Sequence, residues 1–117
     1  MSKLFDLLEI LKEQEGIEML IAHCEEVVKE VEKELEKDPK SDELKAISRG
    51  YNSDKEILET RLTTLRDRFA NLFAGAIADE NFFKEVEASK IPNDYKKAFE
   101  TLKSKMSSLQ GVERTQE

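Results

Sequence analysis

Residues that carry chemistry are scarce in this chain. Its 117 residues include one histidine, one cysteine, two prolines, four glycines and no tryptophan. A single cysteine excludes an internal disulfide and agrees with a reducing compartment. Gly16, Gly50, Gly75 and Gly111 stand alone, so no glycine-rich loop exists to cradle a phosphate. With so few turn formers, the secondary-structure elements must be long. No stretch approaches the ~18 apolar residues of a membrane span. Acids interrupt the start, Met1 to Glu9, and spoil a signal-peptide core; Ser2 stands where myristoylation needs glycine, and Arg114 to Glu117 is no prenylation box. The expectation is a cytoplasmic protein with no membrane association.

What is present is charge and helical periodicity. Hydrophobic and charged residues each make up 38%, a mix suited to amphipathic helices. The 19 basic and 26 acidic residues leave a net charge of −7, which disfavours direct binding to a nucleic-acid backbone. At this length one domain with a real core is expected, over residues 1–111, followed by a frayed tail over 112–117.

Along the chain, Leu4, Leu7, Leu8 and Leu11 form one apolar patch. Ile17, Leu20, Ile21, Cys24, Val27, Val28, Val31 and Leu35 form a second, at three-four spacing. The two are out of phase across Gly16, so a first helical segment from about Leu4 to Lys37 either kinks there or starts as a separate short helix. Asp38-Pro39 stops it. Ser41 caps a short piece through Arg49, and Gly50-Tyr51-Asn52 breaks the pattern. Ser53 to Glu56 matches a capping box, which predicts a new helix over 54–77. Asp79 caps a short segment with Phe82, Phe83 and Val86 on one side. A last helix from Asn93 or Asp94 carries Tyr95, Ala98, Phe99, Leu102, Met106 and Leu109, with Gly111 as its stop. The fold class read from this is all-α: an antiparallel helical bundle of three long helical segments plus one or two short helices.

The 54–77 helix has two faces. Leu58, Leu62, Leu65, Phe69, Leu72 and Ala76 make a seam for another helix. Its back carries Thr60, Thr63, Thr64, Asp67, Ala70, Asn71 and Ala74, small residues with one charge where a solvated helix would show Lys and Glu. Such a back is expected to be covered, either by the last helix or by a second copy. Asp67 then needs a cationic partner. Phe82-Phe83 supplies a further candidate contact, because adjacent residues on a short helix cannot both face one core.

Residues 1–37 hold eleven acids and five bases and carry nearly all the net charge. Glu18, Glu25 and Glu32 flank the apolar stripe seven apart, while Arg61, Arg66 and Arg68 border the other seam. That is the arrangement by which helices choose partners. Catalytic constellations are missing. His23 with Glu26 is half of one di-iron motif and no more, and adjacent His23 and Cys24 diverge by about 100° on a helix. The sequence therefore reads as a non-enzymatic protein–protein interaction module, an adaptor, regulator or chaperone-like protein. It needs no cofactor and no metal, and it binds another protein, including a second copy of itself, through Thr60 to Ala74 and Phe82-Phe83. The alternative is an acidic decoy, of the kind viral inhibitors provide, that occupies a basic nucleic-acid-binding site on its partner.

Overall fold

A computed structural model describes the backbone of residues 2–116 and the side chains through Leu109. The described residues are all-α and contain no strand: α1 is Lys3–Lys37, α2 is Asp42–Ile77 and α3 is Glu80–Ala88. A 3-10 turn, Asn93–Tyr95, then leads into α4, Lys96–Gln116. None of these helices is long and apolar enough to cross a membrane.

Both interior breaks considered at the sequence level give way to continuous helix. α1 runs through Gly16. Between Leu11 and Ile17 stands the half-buried Gln14, which divides the step of six into two steps of three. α2 runs through Gly50-Tyr51-Asn52, so the expected start at Ser53 is absent and Ser41 is the true cap. The Ser41 Oγ accepts from the Leu44 amide at 3.2 Å. The reason lies in a seam that never loses step: Leu44, Ser48, Tyr51, Lys55, Leu58, Leu62, Leu65, Phe69, Leu72 and Ala76 alternate four and three throughout. One interior glycine costs only about 1 kcal/mol, less than leaving the amides of a new helix start unpaired.

The chain divides into two compact units. One is residues 14–65, and the other combines 1–13 with 66–117. In the first, the Asp38–Ser41 connection turns the chain back, forming a helical hairpin. Ile17, Ile21, Cys24 and Val31 of α1 and Leu62 and Leu65 of α2 are its buried apolar residues. Lys55 sits on the seam and reaches Glu25 of α1 at 3.9 Å and Glu59 of its own helix at 3.8 Å. Glu25, expected opposite an arginine, thus meets a lysine that occupies a seam position.

In the second unit the core is larger. Leu4, Leu7 and Leu8 are fully buried, and Ile10 and Leu11 nearly so. Phe69 and Ala76 of α2, Phe82 and Val86 of α3, and Ala98, Leu102 and Met106 of α4 are buried as well. Leu72, a predicted seam residue, is exposed, and the half-buried Phe73 stacks on Phe69 at 5.2 Å. A 3.6-residue period drifts off a 3.5-residue seam, and this exchange is that drift. Asp79 caps α3, accepting from the Asn81 amide at 2.9 Å, and its other oxygen lies 3.6 Å from the Lys3 ammonium. The α4 backbone passes Gly111 without stopping, while the side chains of the tail expected over 112–117 lie outside the described residues.

Candidate functional site

Every residue assigned to the back of α2 is exposed: Thr60, Thr63, Thr64, Asp67, Ala70, Asn71 and Ala74. Within their own unit, Asp67, Ala70, Asn71 and Ala74 are left uncovered by the described side chains of α4. The threonine hydroxyls are turned inward along their own helix. Thr60 Oγ1 donates to the Glu56 carbonyl at 3.0 Å, Thr63 to Glu59 at 3.1 Å and Thr64 to Thr60 at 3.2 Å. Each hydroxyl that bonds four residues back leaves its methyl group as the outward atom. The face is therefore more apolar than its composition reads: three threonine methyls beside Ala70 and Ala74, with Asp67 and Asn71 as its polar marks.

Phe82 and Phe83 part company as adjacent residues should. Phe82 is 2% exposed, whereas Phe83 is half-buried with its ring edge-on to Phe82 at 6.2 Å. Of the pair, only Phe83 has surface to offer.

The hairpin unit holds a cleft that the sequence reading missed. It has a volume of about 370 Å³ and is lined by Leu20, His23, Cys24, Tyr51, Asp54 and Leu58. His23 and Tyr51 meet edge to face at 6.2 Å across it. The lone thiol forms its buried base. Leu20, expected in the core stripe, is 53% exposed on the cleft wall. The sequence signal was the seam position of Tyr51, hidden by the assumption of a break at that point. Among the described residues, no three of His, Cys, Asp and Glu come together in a way that could hold a metal ion.

In the larger unit, Tyr95 donates its phenolic proton to the Glu9 carboxylate, its ring meets Phe5 edge-on, and the Lys12 ammonium lies 4.6 Å from its ring centre. The hydrogen bond to Glu9, then desolvation, then the Glu9 and Asp94 charges raise the Tyr95 pKa above 10.0. Ionising the phenol would set two anions side by side and remove the donor. The stability from this pair is thus complete below the ordinary tyrosine range and lost as pH climbs through the raised pKa. An alkaline absorbance titration of the Tyr51→Phe protein, which retains only Tyr95, is expected to show a midpoint above 10. Glu9→Gln is expected to lower it; a midpoint indifferent to that change contradicts the contact.

Comparison with known proteins brings no match: no family model, no curated protein and no solved structure corresponds to this chain.

Proposed function

We propose that the chain is a non-enzymatic protein–protein interaction module, an adaptor, regulator or chaperone-like protein. In this reading its helices form an antiparallel bundle that works in the cytoplasm, where a lone thiol stays reduced. The module associates with a second copy of itself through the back of α2. One observation carries the reading: Thr60, Thr63 and Thr64 are exposed yet spend their hydroxyls on their own helix. What faces outward is a row of methyl groups, and small residues let two helix backbones approach closely. The face also carries a single charge, Asp67, so two copies of an acidic protein can meet there with little repulsion.

Lysine at Thr63 and Ala70 tests this. Both positions are exposed, so Thr63→Lys with Ala70→Lys is expected to leave stability within about 0.5 kcal/mol of the parent. Light scattering is expected to register loss of the associated species. A variant that associates as the parent does removes this face from the account.

A further inference from the structure

The helical hairpin has two long flanks, and they differ in chemistry. On one, Lys55 bridges to Glu25 and Glu59 and closes the gap between α1 and α2 with charge. On the other lies the cleft of Leu20, His23, Cys24, Tyr51, Asp54 and Leu58. Among the described residues, four of the six exposed large hydrophobic side chains belong to this hairpin: Met19 (67%), Leu20 (53%), Ile57 (65%) and Ile47 (37%). One lines the cleft and helical spacing puts the other three a turn from residues that do. Leu20 lines it, Met19 is one turn before His23, Ile57 follows Asp54 by three residues, and Ile47 precedes Tyr51 by four. From Ile47 to Leu58 the strip runs along α2 for about 16 Å, three turns of a docked helix. Exposed apolar residues spaced along an open cleft are the form of a groove that receives an amphipathic helix.

Charge decides which helix. Residues 14–65 carry 14 acids and 8 bases, a net of −6 on 52 residues. An acidic helix would meet that charge as repulsion and a basic one as attraction. We infer that this groove binds an amphipathic helix of another protein, one with an aliphatic stripe flanked by lysine and arginine. The aliphatic stripe fills the cleft between Leu20 and Leu58, and the basic flanks meet Asp54 and the net negative charge of the unit. The groove uses residues other than those of the α2 back, although Ile57 stands one turn before Thr60 on the same helix.

The test uses the full chain and a labelled helical peptide about 20 residues long, written in heptads with leucine at the apolar positions and lysine elsewhere. Fluorescence anisotropy is expected to show saturable binding. The same peptide with glutamate replacing lysine is expected not to bind. Leu20→Gln combined with Ile57→Gln, both at exposed positions, is expected to weaken binding about tenfold or more, whereas Ser104→Gln, exposed on α4, leaves it unchanged. Equal binding by the glutamate peptide, or binding untouched by the double substitution, overturns the proposal. So does a Leu20→Gln substitution, on α1 and away from the α2 back, that alters the mass of the protein alone in solution, because the groove then belongs to a second copy.

Discussion

Phe82→Ala is expected to cost about 3–5 kcal/mol, the range for emptying a buried aromatic site. The expectation rests on more than burial. α3 is nine residues long, and a helix that short does not persist in water by itself. Its hold on the rest of the unit is the pair Phe82 and Val86, one turn apart and the only buried residues it has. Removing the larger of the two empties a core site and releases the helix that carried it. Phe83→Ala, at the half-buried neighbour, is expected to cost about 1 kcal/mol. Urea unfolding of the two variants side by side reads the difference. Equal losses would place both rings in the core and contradict the orientation of α3.

The second large effect runs in the opposite direction. Gly16→Ala and Gly50→Ala are each expected to raise stability by about 0.5–1 kcal/mol, and together by about 1–2 kcal/mol. Both glycines lie inside long helices, and a Cβ added at either meets nothing within 4 Å. Alanine there restricts the unfolded chain without straining the folded one. The same pair tests the continuity of the two long helices. If either glycine ended a helix in a left-handed conformation, alanine would destabilise at that site. Chemical denaturation of the single and double variants distinguishes the two outcomes.

The stop at Asp38-Pro39 and the caps at Ser41 and Asp79 were legible in the sequence because each is a local matter of a few residues. So were Leu62, Leu65, Phe69 and Ala76 on the buried side of α2, where periodicity fails only at the exposed Leu72. The continuity of α2 was not legible. Ser48, Tyr51 and Lys55 hold seam positions with polar side chains, so the heptad is invisible to a reading that counts only apolar residues, and Gly50 then looks decisive. The exposure of Leu20 escaped for a related reason. A stripe of eight apolar residues is wider than one facing helix can cover, and only the structure says which edge is left open. The back of α2 was legible as composition, and its seven residues are all exposed. The inward turn of the three hydroxyls, which makes that face apolar, is a matter of rotamers that no sequence pattern records.

Self-association through the α2 back is the central claim, and the mass of the protein in solution addresses it most directly. Sedimentation equilibrium over a concentration series into the tens of micromolar is expected to show reversible association. Lysine at Thr63 and Ala70 is expected to return the protein to a monomer that is equally stable. A parent protein that stays monomeric across the whole series would contradict the account.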